Sequence, residues 1–185
     1  MAIEFPGFSS PSASTEAPLE MLAACHHRIE RQCSTLKRLA PHLRAHGSDE
    51  QARAAATAIM RYFDSSAIQH HADEEVDLFP ALIESMAGSD AVCIRELTDG
   101  LSADHRKLEA GWRKLRATLS KVGEGQAALL PDDQVEAFTS LYESHMRREE
   151  DELLPMAARL LGDDAIARIG RAMRERRGIG DDMLG

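Results

Sequence analysis

Apolar residues recur along this chain at alternating steps of three and four, the spacing that lines one face of an α-helix. The first such stripe is Leu19, Leu22, His26, Ile29, Cys33, Leu36, Ala40 and Leu43. It predicts a helix from about residue 18 that Pro41 bends without ending and that stops at Gly47, a C′ glycine. Ser48 to Gln51 reads as a capping box for a second helix. Its stripe is Ile59 or Met60, Phe63, Ala67, His70, Glu74, Leu78 and Ala81; Pro80 should kink it or end its regular part, and Gly88 closes it. A third helix from about Ser89 carries Ile94, Leu97, Leu101, His105, Leu108, Trp112, Leu115 and Leu119, with Gly100 a local weak point, and stops near Gly123. A fourth, after Pro131, carries Val135, Phe138, Tyr142, His145, Glu149, Leu153 and Met156 and ends at Gly162. A short fifth, about 164–177, places Ile166, Ile169 and Met173 on one side; its arginines (Arg168, Arg171, Arg174, Arg176, Arg177) read as a solvated face.

Four long periodic helices with short connections predict an all-α, up-down-up-down antiparallel four-helix bundle with a short C-terminal fifth helix. Residues 1–17, rich in Pro, Ser and Gly, read as a flexible tail, 18–177 as the bundle domain with its extra helix, and 178–185 as a second tail. A length of 185 residues suits one domain, and 43% hydrophobic residues with only 4% aromatics suits packed helices. The net charge of -9 argues against nucleic acid and anionic membranes as partners, since both call for basic patches. No apolar run approaches the ~18 residues of a membrane helix, and the N-terminus lacks the basic start and apolar segment of a secretory signal. Three cysteines, Cys25, Cys33 and Cys93, without C-x-x-C spacing fit a reducing compartment, and the expected location is the cytoplasm.

Several stripe positions are not apolar. Residues 70–80, HHADEEVDLFP, and 145–155, HMRREEDELLP, share a skeleton: a first-position His, a Glu pair at the fifth and sixth positions, Leu at the ninth and Pro at the eleventh. A His and a Glu four apart project from one helical face, where imidazole and carboxylate can meet one metal ion, or the carboxylate can bridge two. In the antiparallel bundle, His105 lies at nearly the same distance from its loop as His145 and Glu149. His26 matches His70 and Glu74 if the first helix persists past Pro41. His26 rather than His27 falls on the apolar stripe. The six candidate ligands are therefore His26, His70, Glu74, His105, His145 and Glu149. Two buried carboxylates would be costly and mutually repulsive, and cations remove both problems. The competing reading is a buried polar network without metal. His71 and Glu75 fall to the flank, with His71 facing away; Tyr142, one turn before His145, is either a core tyrosine or a hydrogen-bond donor to a small ligand at the site. Cys33 reads as a small core residue.

A His on the first and third helices with H-x-x-x-E-E-x-x-L-x-P on the second and fourth resembles the hemerythrin-like (HHE cation-binding) domain over about residues 18–160. The resemblance implies a non-haem di-iron centre inside the bundle, with His26 and His145 on one iron, His70 and His105 on the other, and Glu74 and Glu149 bridging. Manganese and zinc accept similar ligands. Invertebrate oxygen carriers of this family have an H-x-x-x-H pair on the third helix; here it is His105 with Glu109, and Glu109, like Glu30 after His26, reads as a surface acid. The implied function is binding or sensing of oxygen, nitric oxide or iron, with any signal passing to a separate protein partner. The alternatives are a di-iron enzyme that reduces oxygen, peroxide or nitric oxide, or a role in repair of iron centres.

Overall fold

The computed structural model describes residues 17–86 and 90–179, and among these every regular element is helical. The first rod is α1 (Pro18–His46). The second is assembled from α2 (Glu50–Phe63), α3 (Ser66–Ala72), a π-helical turn (Asp73–Leu78) and α4 (Phe79–Ser85). The third is α5 (Asp90–Gly123), and the fourth joins α6 (Asp132–Arg148), a second π turn (Glu149–Leu153) and α7 (Leu154–Leu160). α1 packs against α2 and α6, and α5 does the same, so sequential rods are antiparallel neighbours and the fourth closes back on the first. The fifth helix, α8 (Asp163–Arg176), crosses one end. Most of the two expected tails, and Gly88, lie outside the described residues.

The helix boundaries follow local chemistry. α1 runs through Pro41, as its stripe requires, and Gly47 ends it at φ 66° with its N–H on the Leu43 carbonyl at 2.9 Å. α2 is capped by Asp49, whose Oδ1 accepts from the Ala52 N–H at 2.8 Å, and not by Ser48 as the capping-box reading expected. The Ser48 hydroxyl instead donates to the Gln126 carbonyl at 2.6 Å, tying the two loops at that end of the bundle. The break between α2 and α3 at Asp64 and Ser65 has no counterpart in the periodicity. There the Asp64 carboxylate accepts from Trp112 Nε1 at 2.9 Å and from Arg116 Nε at 2.8 Å, so α5 holds the chain where it leaves the helix. α5 passes straight through Gly100, where a Cβ would lie 3.0 Å from Arg148; that guanidinium bonds to Asp104 on the same helix.

Buried side chains fall into two apolar cores. One, toward the α1–α2 and α5–α6 loops, is built around Ile29, Leu36, Phe63, Trp112, Phe138 and Tyr142. The other contains Leu22, Leu78, Phe79, Leu101, Leu153 and, from α8, Ile169 and Met173. Between them lies a buried polar layer.

α8 also reaches that layer through charge. Asp73, fully buried in the first π turn, is bonded by both Arg176 and Arg177, and Arg176 Nη2 donates to Asp77 at 2.6 Å. Arg168 and Arg171 are exposed as expected, but Arg176 and Arg177 are not a solvated face: at the C-terminal end of α8 they reach the π turn and neutralise Asp73. Removing one side of a buried pair strands the other charge in an apolar setting. The double substitution Arg176→Ala, Arg177→Ala is therefore expected to cost roughly 3–5 kcal/mol in urea unfolding, and adding Asp73→Asn should recover part of it. A loss indistinguishable from that of Arg168→Ala would contradict this.

Candidate metal centre

Each of the six candidate ligands is brought into the polar layer by its own element: His26 by α1, His70 by the last turn of α3, His105 by α5, His145 by α6, and Glu74 and Glu149 by the starts of the two π turns. The π turns trace to the prolines. A proline cannot donate to the carbonyl four residues back, and its ring crowds that carbonyl. Here the preceding residue bonds five back instead: Phe79 N–H to the Glu74 carbonyl before Pro80, and Leu154 N–H to the Glu149 carbonyl before Pro155. Pro80 thus widens the helix by a turn of π geometry. The wider turn offsets the drift that four-residue steps accumulate in an α-helix, so His70, Glu74 and Leu78 all stay inside.

All six residues are at most 4% exposed. His26 Nε2 lies 3.1 Å from Glu149 Oε2, and His145 Nε2 2.9 Å from Glu149 Oε1. His105 Nε2 lies 3.3 Å from Glu74 Oε2, His70 Nε2 3.5 Å from Glu74 Oε1, and the Nε2 atoms of His105 and His145 are 3.0 Å apart. Two groups that contain both carboxylates result, each with ligand atoms within 4.8 Å of one another: His26, His70, Glu74 and Glu149, and His105, His145, Glu74 and Glu149. Both carboxylates belong to both groups, which is the bridging arrangement. The histidines, however, pair along the hairpins, His26 with His70 (ring centroids 5.1 Å apart) and His105 with His145 (4.7 Å). The expected pairs, His26 with His145 and His70 with His105, are not the ones formed, because each histidine meets the one on the next rod of its own hairpin.

The electrostatics are those of a cation site. All four oxygens of Glu74 and Glu149, with the Nε2 atoms of His26 and His70, are buried without a hydrogen-bond partner. Burial, then the charge of Glu149, pushes the Glu74 carboxyl well above the usual range. Burial also opposes the charge of Glu149, but the imidazoles of His145 and His26 beside it outweigh burial and hold that carboxyl well below the usual range. Burial likewise works against a charged His26, yet Glu149 and Glu150 hold its pKa up at about 9. His70 is pushed by burial down to about 3 and is a neutral imidazole.

Around the layer stand groups that the periodicity did not assign. His26 Nδ1 donates to Glu150 at 2.8 Å and His105 Nδ1 donates to Glu75 at 2.7 Å. The second Glu of each Glu-Glu doublet is thus no idle flank residue: it holds a histidine of another rod in the tautomer whose Nε2 faces inward. The doublet's recurrence in both motifs was the available signal. His71 does not face away; its ring stacks on His105 with centroids 3.9 Å apart, and burial, then the neighbouring His105, keeps its pKa well below the ordinary value. Tyr142 is 2% exposed and packs on Phe63 and Phe138, with its hydroxyl 3.5 Å from His71 Nε2. His27, Glu30 and Glu109 are exposed. Cys33 is buried, its thiol pushed up to about 12 by burial, and belongs to the apolar core.

A bundle with two histidine pairs sharing two buried carboxylates defines a cation-binding domain, and the comparisons with known proteins agree. Residues 17–157 match the hemerythrin HHE cation-binding domain, and the chain belongs to that family. It is similar to a Haemophilus influenzae protein described as uncharacterized, with 31% identity over 167 residues, 90% of this chain and 94% of that one. The buried carboxylate oxygens and imidazole nitrogens fit a first-row transition metal ion, for which mixed N/O donors are suitable. Because Glu75 and Glu150 orient candidate ligand imidazoles, Glu75→Ala or Glu150→Ala is expected to lower metal affinity ~10–100-fold while preserving the helical circular dichroism spectrum. Competition against a calibrated chelator measures this, and unchanged affinity in both variants would refute the orienting role.

Proposed function

We propose that this protein holds a non-haem di-iron centre with His26, His70, His105, His145, Glu74 and Glu149 as its ligands, and that it binds or senses a small diatomic molecule, oxygen or nitric oxide, or iron itself. The observation that carries the reading is the sharing of Glu74 and Glu149, with all four oxygens buried and unpartnered, by both histidine pairs. Iron suits a mixed imidazole and carboxylate set. When bound, such a centre supplies redox-active ions with coordination positions that the six protein ligands leave open.

The residues of the chain account for the rest. Glu75 and Glu150 fix the imidazole tautomers, and the apolar cores on both sides of the layer exclude bulk water. A layer at most 4% exposed admits only very small molecules, which favours a diatomic ligand over a larger substrate. A groove of about 440 Å³ between α1 and α6 includes Glu150, so one oxygen-bearing partner of the layer is within reach of solvent. Among the described residues no helix is long and apolar enough to cross a membrane. Three free cysteines suit a reducing compartment such as the cytoplasm.

The test is anaerobic loading with Fe(II), removal of excess metal, and exposure to oxygen or nitric oxide in a stopped-flow spectrometer. The expected result is one iron for each histidine pair, a charge-transfer band on oxidation, and loss of both in the double variant His70→Ala, His145→Ala. Iron uptake that survives this double substitution, or none in the wild type, would sink the proposal.

A further inference from the structure

The six candidate ligands fall within residues 17–157, the span that matches the family, whereas α8 begins at Asp163. α8 nevertheless packs on α1 and on the first π turn, the elements that carry His26 and Glu74. We propose that α8 is a gate for metal exchange: its undocking admits and releases the cations of the layer, with Arg176 and Arg177 as the catch. The inference rests on the metal reading above and concerns how that site is filled.

The layer is sealed, with its six ligands at most 4% exposed, so a hydrated cation reaches them only if some element moves aside. Each of the four rods carries ligands and is bound into the apolar cores on both sides of the layer. α8 carries no candidate ligand, and its buried large side chains are Ile169 and Met173. An element with few buried contacts opens at lower free energy than the body it rests on, so α8 can leave without dismantling the site. The groove between α1 and α6 is a poorer route. It ends at Glu150, behind which His26 is engaged at both ring nitrogens, by Glu150 at 2.8 Å and Glu149 at 3.1 Å.

The charges at the α8 contact suit a cation gate. Asp73, wholly buried, directly precedes Glu74 and is bonded by both Arg176 and Arg177. Arg176 also donates to Asp77 at 2.6 Å, and Arg177 to the Met173 carbonyl of α8 at 2.8 Å. While α8 is docked, two guanidinium groups stand beside the turn that carries Glu74 and repel a cation moving in or out. When α8 lifts, they leave with it and uncover Asp73 and Asp77, both within three residues of Glu74, as carboxylates that attract a divalent ion. The cost of leaving Asp73 unpaired then favours closure.

The test follows Co(II) uptake by the metal-free protein, and its release to excess chelator, by stopped-flow absorption. In the double variant Arg176→Ala, Arg177→Ala both rates are expected to rise roughly tenfold or more. Arg176→Ala alone, which leaves Arg177 on Asp73, should show a smaller rise in both and serves if the double variant does not fold. Leu36→Ala, in the far core, controls for general loosening and should leave both rates unchanged. In the wild type, native-state hydrogen exchange should show α8 amides opening at lower free energy than the four rods. Unchanged rates in the arginine variants, faster release without faster uptake, an equal acceleration in Leu36→Ala, or α8 amides that exchange only on global unfolding would each overturn the gate and leave the metal reading intact. A wild type that takes up no Co(II) would overturn both.

Discussion

Glu74 and Glu149 face each other in the middle of a helical bundle, both wholly withdrawn from solvent. Charge of that kind is expensive in an apolar interior unless cations stand beside it. The surrounding structure can be understood as the means of holding these carboxylates together and surrounding them with ligands of the right kind. Four imidazoles converge on their oxygens, two apolar cores seal the layer from either side, and Glu75 and Glu150 reach in from the rim to orient His105 and His26. The family to which the chain belongs is a cation-binding one, and the orphaned carboxylate oxygens are where such a cation is needed.

The repeated motif of residues 70–80 and 145–155 explains the symmetry of the layer, and the departures from it are informative. Position four of the motif is Asp73 in one copy and Arg148 in the other. Asp73 is buried and draws Arg176 and Arg177 of α8 onto the first π turn, while Arg148 bonds back to Asp104 of α5. α8 is therefore attached beside Glu74 and, among the described residues, has no equivalent beside Glu149. Position two differs as well, His71 against Met146, so one copy places an extra imidazole where the other places core.

Much of this was legible in the sequence because helical stripes record which side of each helix is buried. The stripes separate His26 from His27, require α1 to run through Pro41, and place His105 level with His145. What they miss has a common cause. A stripe assumes a constant α-helical turn, and the layer contains two π turns imposed by Pro80 and Pro155. It also treats neighbours of a buried residue as solvent-facing. In a four-helix bundle such a neighbour can instead meet the adjacent rod, as Glu75 and His71 meet His105, and Glu150 meets His26. The pairing of the histidines depends on ring directions, which spacing does not encode. Arg176 and Arg177 lie where α8 ends, and their partner Asp73 is far away in sequence.

The central claim is that Glu74 and Glu149 are shared by two metal ions rather than serving one. X-ray absorption at the iron edge of the loaded, intact protein tests it directly. Bridging carboxylates hold two ions close together, so the account predicts an iron–iron scattering shell at roughly 3–4 Å alongside imidazole and carboxylate ligands. A fully loaded protein whose spectrum shows those light ligands but no metal neighbour in that range would contradict it.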